Sequence, residues 1–172
     1  KSNITLINIL DSYTPDSLDE VISWDASSGE AGTITAYLED DGSGNSTYKL
    51  TLAGNGYGKI FANPDSYMAF SDFSSATSIT GFKDSSNNVI FDTSNVTNMY
   101  RNTVLTTLDV SGFNTNKVTS MRTMFGSCNA LSSLDVSGFN TNNVTSMNGM
   151  FSYCAELDQL NVSNFNTSKV TD

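Results

Sequence analysis

Leucines recur at one fixed interval along the second half of the chain. Leu108, Leu134 and Leu160 each begin the same phrase, and its first copy reads LDVSGFNTNKVTSMRTMFGSCNALSS. An ungapped repeat of this kind predicts a stack of similar units, because one unit cannot bury its own apolar face. Equivalent side chains of neighbouring units are then expected to form continuous buried columns.

Each copy contains two different apolar spacings. Leu134 and Val136 alternate with polar residues, which predicts a short strand that pairs in parallel with the same strand of the next copy. The spacing that follows predicts a short helix with one buried stripe. Its apolar residues are Met147, Met150, Phe151, Cys154 and Leu157.

The repeat extends towards the N-terminus through two degenerate copies. Residues 70–79 match the apolar frame of residues 125–134, and Phe91 begins a phrase that matches the one at Phe139. The copy that contains Met99 is four residues shorter than its successors, and we expect it to lack their Met-Phe pair. Atypical first copies are expected, because one of their faces meets a cap instead of another repeat.

Residues 1–58 follow a different pattern. An apolar run over Ile4–Leu10 predicts a strand, and Thr14-Pro15 followed by acids predicts the start of a short helix. Residues 33–38 and 47–52 alternate around a turn sequence, which predicts a β-hairpin. We therefore expect an N-terminal cap over residues 1–58 and a repeat array over residues 59–172, with the array incomplete at its C-terminus.

The repeats resemble a known family. The frame Met-Phe-x-x-Cys-x-x-Leu-x-x-Leu-x-Val that begins at Met150 is similar to the BspA-type leucine-rich repeat, and the phrase at Phe91 resembles the 26-residue repeat of bacterial surface proteins. The resemblance covers residues 59–172. It implies an α/β repeat fold, a leucine-rich-repeat solenoid with a parallel sheet and short helices, preceded by a cap that contains the β-hairpin.

One feature departs from ordinary leucine-rich repeats. Phe113, Phe139 and Phe165 occupy the position of their buried asparagine. The usual asparagine ladder is therefore expected to be absent or displaced by one residue, to Asn114, Asn140 and Asn166.

The resemblance also carries functional expectations. It implies an extracellular or cell-surface protein, held as a lipoprotein or wall-anchored, that acts as a non-catalytic adhesin. The expected partner is a protein or glycan of a host or neighbouring cell. The alternative is a structural spacer, fibre or appendage subunit that assembles through its repeat ends, with self-association at the open C-terminal coil.

Charge narrows the partners further. The net charge of −10 argues against nucleic acid and against docking on anionic lipid, because both require cationic surface. Residues 1–90 carry −8 of this charge and residues 91–172 only −2. The chain has no apolar run long enough to span a bilayer, so no direct membrane insertion is expected within it.

The residue types also limit catalysis. The chain has no histidine, which removes Ser–His and Cys–His nucleophile schemes and the most common zinc ligand. A pair of carboxylates of the glycosidase type stays open, although no local feature points to one. Together with the resemblance, which implies no catalysis, these observations predict no catalytic residues, no metal site and no cofactor, and a protein that is not an enzyme.

Two further features each allow two interpretations. The loop at Asp40 and Asp41 is acidic, but it lacks the alternating ligands and the distal glutamate of a calcium-binding EF-hand loop, which favours a solvated hairpin turn. Cys128 and Cys154 lie one period apart. A column of buried free thiols is favoured there over a disulfide.

A ligand-binding surface is expected on the strand face. Polar residues flank the apolar strand positions in each copy, and in a stack of copies they would form columns on the open, concave side of the sheet. These nine candidate residues are Thr107, Asp109, Ser111, Ser133, Asp135, Ser137, Gln159, Asn161 and Ser163.

Overall fold

The structure is a computed structural model that describes residues 3–10, 22–25, 34–54, 60–61, 69–71, 73–82, 91–92, 95–101 and 104–172. Within these ranges the chain forms strands and turns, and none of it is helical. No helix that could cross a membrane is found in them. The strands are β1 (Ile4–Leu10), β2 (Ile22–Asp25), β3 (Ile34–Asp40), β4 (Tyr48–Gly54), β5 (Ile60–Phe61), β6 (Ser78–Gly81), β7 (Phe91–Asp92), β8 (Thr107–Leu108), β9 (Phe113–Asn114), β10 (Ser133–Leu134) and β11 (Gln159–Leu160).

The N-terminal residues build a sheet with the strand order β2-β3-β4-β1-β6-β8. β3 and β4 pair antiparallel, from Ile34 opposite Gly54 to Asp40 opposite Tyr48. This pairing confirms the predicted β-hairpin, and β1 confirms the strand expected from its apolar run. The helix predicted to start at Thr14 lies outside the described residues.

The same sheet continues into the repeats. β1 pairs in parallel with β6, where Ile7 lies opposite Ile79, and β6 pairs in parallel with β8, where Ile79 lies opposite Leu108. One hydrophobic cluster joins Ile7 of β1 to Met124 and Val136 of later copies. The division of the chain at residue 58 stays a prediction, and a shared sheet and core cross it.

Successive repeats lie side by side in parallel register. Leu134 of β10 lies opposite Leu160 of β11, one period later, and Phe91 of β7 lies opposite Phe113 of β9. Isolated bridges link equivalent backbone positions of three successive copies at Asn95, Ser120 and Ser146. These pairings confirm the predicted parallel arrangement. The strands do not form one sheet across the described copies, however, since β8 belongs to the N-terminal sheet and β10 pairs with β11 alone.

The predicted helix over residues 147–157 is wrong. Met150 N–H donates to Met147 O and Ser152 N–H donates to Gly149 O, and each of these bonds closes a four-residue turn. Left-handed φ angles of 63° at Gly149 and 56° at Tyr153 interrupt any helix. The physical reason is that the neighbouring copy supplies acceptors and donors: Phe125 N–H donates to Met150 O, at 3.0 Å, instead of to a carbonyl one helical turn earlier.

A column of stacked aromatic rings runs through the turns. Phe70 stacks on Tyr100, Tyr100 on Phe125, and Phe125 on Phe151, with ring centroids 5.5, 5.6 and 5.6 Å apart and planes within 11° of parallel. The column corrects the expectation that the short copy lacks a Met-Phe pair. Met99 and Tyr100 take that place, because Tyr100 N–H donates to Met124 O just as Phe125 N–H donates to Met150 O.

Threonines form a second column, which the sequence did not indicate. Thr115 and Thr141 are each 2 % exposed. Each hydroxyl donates to a backbone carbonyl of the next copy (Asn140 O and Asn166 O) and accepts from the same residue's N–H. Each buried threonine hydroxyl therefore pairs with both the backbone C=O and the backbone N–H of one asparagine in the next copy. The displaced asparagines contribute at the surface, where Asn140 Nδ2 donates to Asn116 Oδ1 at 2.7 Å.

Neither Cys128 nor Cys154 forms a disulfide. Cys128 is buried and its Sγ lies 3.3 Å from Tyr100 O; Cys154 is half-buried and its Sγ lies 3.1 Å from Phe125 O. The preferred interpretation, a column of thiols without a disulfide, is confirmed. Burial raises the pKa of the Cys154 thiol.

Candidate ligand-binding surface

All nine sequence-predicted residues are exposed on the strand side. They begin in β8, β10 and β11 with Thr107, Ser133 and Gln159, and continue at every second position in each copy. The apolar residues between them point the other way: Leu134 and Val136 are 5 % and 1 % exposed. This alternation presents polar groups to solvent because successive strand residues face opposite sides.

The second and third residues of each set form a turn. Asp109, Asp135 and Asn161 each accept the backbone N–H of the serine at the next-but-one position through Oδ1, at 2.9, 2.9 and 3.0 Å. An Asx turn of this kind ends the strand. The repeated Asp-x-Ser spacing thus has a structural role, and Asn161 shows that the role does not need a charge.

Four of the nine residues come together. Ser133, Asp135, Gln159 and Asn161 line one open depression of about 470 Å³, together with Leu134, Asp158 and Leu160. Asp158 was missed from the sequence, although it directly precedes Gln159 and its N–H donates to Ser132 O of the previous copy. The depression therefore carries two carboxylates, two amides and a hydroxyl.

Its electrostatics favour hydrogen-bond donors. Hydrogen bonds from the Ser137 hydroxyl and backbone N–H hold the pKa of Asp135 below its usual value, so this carboxylate stays ionised at neutral pH. Sugar hydroxyls, amides and cationic side chains could bind such a surface. No aromatic ring lines the depression, within the part of the chain that the structure describes.

The other five candidates lie outside this depression. Thr107 lies in β8, which pairs with β6 of the N-terminal sheet. Asp109 and Ser111 come directly after that strand, outside the depression. Ser137 and Ser163 donate to the Asx turns described above. The expected columns are present as exposed residues, and four of their members, from the last two copies, lie around one concavity.

The acidic loop between β3 and β4 uses its carboxylates in the turn itself. Asp40 Oδ1 accepts Gly42 N–H at 2.7 Å, Asp41 Oδ1 accepts Ser43 N–H at 2.9 Å, and Asp41 Oδ2 accepts the Thr5 hydroxyl at 2.5 Å. These bonds, led by the one from Thr5, lower the pKa of Asp41. The described residues contain no group of three His, Cys, Asp or Glu that could hold a metal. The geometry agrees with a hairpin turn.

Sequence comparisons bear on the repeats. Residues 94–172 match a family described as Mycoplasma protein of unknown function, DUF285. No curated protein and no solved structure matches the chain. The matched region includes Asn95, Ser120 and Ser146, whose bridges connect successive copies. The repeats are thus similar in sequence to a family whose function is unknown.

Proposed function

We propose that this chain is a non-catalytic binding module of the bacterial cell surface, built as a leucine-rich-repeat solenoid of the BspA type. In this solenoid, four-residue turns take the place of the short helices of the expected plan. Parallel pairing between equivalent positions of adjacent copies, from Ser133 to Gln159 and from Leu134 to Leu160, supports the proposed fold. The sequence resemblance over residues 59–172 supports the extracellular location.

One observation carries the functional proposal: an exposed polar face is repeated on successive copies above a fully apolar layer. Ser133 and Asp135 alternate with Leu134 and Val136, and the next copy places Gln159 and Asn161 beside them in the same depression. A rigid surface of hydroxyl, amide and carboxylate groups suits hydrogen bonding to a protein loop or a glycan. The proposed role is adhesion to a host or neighbouring cell.

The experiment uses paired variants of the depression. We expect the parent chain to bind components of a glycan and matrix-protein array, and Asp135→Ala with Gln159→Ala to reduce that binding at least tenfold. Asp135→Asn is the matched variant, because asparagine keeps the Asx turn, as Asn161 does, and removes only the charge. Ser168→Ala, which is exposed away from the depression, is the control.

Two results would overturn the proposal. The first is the absence of binding to every array component by the parent chain. The second is unchanged binding in the Asp135→Ala, Gln159→Ala variant with a native circular dichroism spectrum. Loss in the alanine variant but not in Asp135→Asn would place the ligand contact on hydrogen bonds instead of on charge.

A different observation favours a second function, that of an assembling spacer or appendage subunit. At the C-terminal end, Met147, Met150, Phe151, Leu160, Val162 and Phe165 line an almost wholly apolar pocket of about 340 Å³. Phe125 and Phe139, one copy earlier, are 0 % and 4 % exposed, whereas Phe151 and Phe165 are only half-buried. A further coil, from a second copy of the chain, would complete these columns.

Light scattering across a concentration series tests this alternative. A structural subunit should form dimers or longer assemblies, and Phe151→Ser with Val162→Ser should return it to a monomer. Tyr153→Ser, which removes an aromatic residue that is 81 % exposed outside the pocket, is the control. A chain that stays monomeric at high concentration contradicts assembly through this end and leaves the binding module as the proposal.

A further inference from the structure

A second polar pocket lies in the turns of the repeats, separate from the strand face. It has a volume of about 400 Å³ and is lined by Thr97, Asn98, Arg101, Arg122 and Thr123. It shares no residue with the depression that contains Asp135. The pocket follows the bridge between Asn95 and Ser120, where the backbones of two copies meet.

Both arginines of the chain line this pocket. Arg101 and Arg122 are exposed, and neither guanidinium has an ion pair or a hydrogen bond within the residues that the structure describes. Two like charges that share one pocket repel each other, and an anion between them would relieve the repulsion. The arrangement stands out in a chain with a net charge of −10, in which only eight residues are Lys or Arg.

The backbone holds the two arginines in fixed positions. Asn98 N–H donates to Arg122 O at 3.0 Å, and Arg101 N–H donates to Asn98 O at 3.2 Å. Thr123, the neighbour of Arg122, donates its N–H to Asn148 O of the following copy at 2.9 Å. The two guanidinium groups therefore extend from a backbone that hydrogen bonds secure on both sides, which reduces the ordering needed to bind a ligand.

A strained residue lies in the same pocket. Asn98 and Thr123 have φ angles of 54° and 48°, and Gly149 takes the equivalent position in the next copy with a φ of 63°. Asparagine and glycine adopt this left-handed conformation readily, but a β-branched threonine does not. The conformation recurs at this position in three successive copies, so the turn itself fixes the backbone of Asn98 and Thr123 at the pocket.

The side chains supply donors of suitable geometry. The Thr123 hydroxyl donates to Asn98 Oδ1. The amide nitrogen Asn98 Nδ2 has no hydrogen-bond partner in the described part of the chain, so its N–H groups can donate to a ligand in the pocket. Guanidinium forks match the paired oxygens of sulfate and phosphate. We propose that Arg101, Arg122 and Asn98 form a binding site for a tetrahedral oxyanion, the sulfate or phosphate group of an ester.

The size of the pocket indicates an ester and not a bare ion. Ligand pockets run from about 300 to 1,000 Å³, so about 400 Å³ fits a small organic group such as one sugar unit with its charged substituent. Because the chain has a net charge of −10, its surface as a whole should repel anions. Measurable binding of an anion would therefore indicate a local cationic site such as this pocket. The proposal does not depend on the strand face, and either can fail alone.

Isothermal titration calorimetry of the full 172-residue chain tests the site. The probes are sodium sulfate, sodium phosphate, glucosamine 6-sulfate and glucose 6-phosphate, at constant ionic strength. We expect at least one sugar ester to bind several-fold more tightly than its inorganic ion. Arg101→Gln with Arg122→Gln should weaken that binding at least tenfold.

Two matched variants separate this site from general charge. Lys117→Gln with Lys169→Gln removes the same charge from exposed positions elsewhere on the repeats and should weaken binding less than threefold. Arg101→Lys with Arg122→Lys keeps the charge without the fork and should give an intermediate affinity. All three variants should melt as the parent does, because every substituted side chain is exposed.

Specific results would overturn the proposal. They are no binding of any probe to the parent, or equal losses in the arginine and lysine variants. Full binding in the Arg→Lys variant would reduce the site to a diffuse positive patch. Inorganic ions that bind as tightly as the esters would retain the oxyanion site and overturn the ester as its occupant.

Discussion

The N-terminal sheet and the repeats bury their backbones in different ways. β1, β3 and β4 are seven residues long and pair along nearly their whole length. In the repeats, β8 to β11 have two residues each, and N–H groups of the turns donate to the carbonyl three residues earlier or to the adjacent copy. The sheet is ordered by long backbone ladders, whereas the repeats combine short backbone contacts between copies with the alignment of equivalent side chains.

This difference makes the repeats depend on a few side-chain columns. Phe70, Tyr100, Phe125 and Phe151 form the aromatic column, and Thr115 and Thr141 form the polar one. In a two-residue strand the backbone offers little register information, so a buried residue of each copy must align the next. Substitutions in each region should therefore show how far the two regions differ in stability and how far they remain one folding unit.

The largest effect is expected from Met124→Asp. Met124 is 0 % exposed in the core of the repeats, and an unpaired buried carboxylate should cost about 4 kcal/mol or more of unfolding free energy. Guanidinium denaturation followed by circular dichroism measures the loss. Asn129→Asp, on the exposed surface of the same copy, is the control and should change stability by about 0.5 kcal/mol or less.

The same denaturation experiment shows whether the two regions unfold together. Fluorescence of Trp24, in β2 of the N-terminal sheet, reports on the other region. Because one hydrophobic cluster joins both regions, the fluorescence and circular dichroism transitions should shift together. Two separate midpoints would show that the sheet folds without the repeats.

The aromatic column predicts a gradient between its interior and its end. Phe125→Ala should cost about 3–5 kcal/mol, since Phe125 is 0 % exposed and stacks on both sides. Phe151→Ala should cost less than half as much, because Phe151 is only partly buried and stacks on one ring. Equal losses in thermal or chemical unfolding would contradict column packing as the source of order.

Removal of either of two buried hydroxyls, one in each region, should raise the free energy of unfolding by a smaller amount. Thr51 in β4 and Tyr100 in the repeats are both 0 % exposed, and Thr51 Oγ1 and the Tyr100 hydroxyl lack a hydrogen-bond partner among the described residues. Thr51→Val and Tyr100→Phe should each raise the unfolding free energy by about 1 kcal/mol. Phenylalanine already occupies the other places in the aromatic column. Destabilisation by either variant would indicate that the hydroxyl has a partner in solution.

Tyr100 also predicts a dependence on alkaline pH. Burial raises the pKa of Tyr100 well above 10, its ordinary value. Above about pH 10 the unfolded chain releases this proton while the folded chain keeps it, so stability should fall by up to about 1.4 kcal/mol per pH unit until the folded pKa is reached. Tyr100→Phe should remove that part of the fall. Parallel pH curves for parent and variant would contradict a neutral buried Tyr100.

The smallest effect is expected at Asp41. Hydrogen bonds from Thr5, Ser43 and Thr47 lower its pKa, so the stabilisation is present above about pH 4 and is lost as the pH falls below the ordinary value for aspartate. Asp41→Asn should reduce the fall in melting temperature that the parent shows between about pH 4 and pH 2. Asp40→Asn is the control, and the same flattening there would place the effect on the loop as a whole.

Much of the fold could be predicted because it follows from spacing. The repeat predicts which residues lie opposite one another. Leu134 lies opposite Leu160, one period of 26 residues later, whereas Phe91 lies opposite Phe113, its counterpart in the next copy, at a shorter separation of 22 residues. The hairpin of β3 and β4 follows from alternation around a turn sequence. The candidate surface was predicted as nine exposed residues, but the depression to which Asp158 also belongs depends on how the last two copies pack.

Recurrence and local alternation along the chain suffice to predict the period, the parallel order of the copies and the side of each strand that faces solvent. Tertiary structure decided whether the apolar residues after Met147 form a helix or turns. Both conformations bury residues at similar spacings, and the choice depends on where each N–H finds its carbonyl. The neighbouring copy provides those partners, so the turns prevail; the same contacts place Tyr100 in the aromatic column and bring Arg101 beside Arg122.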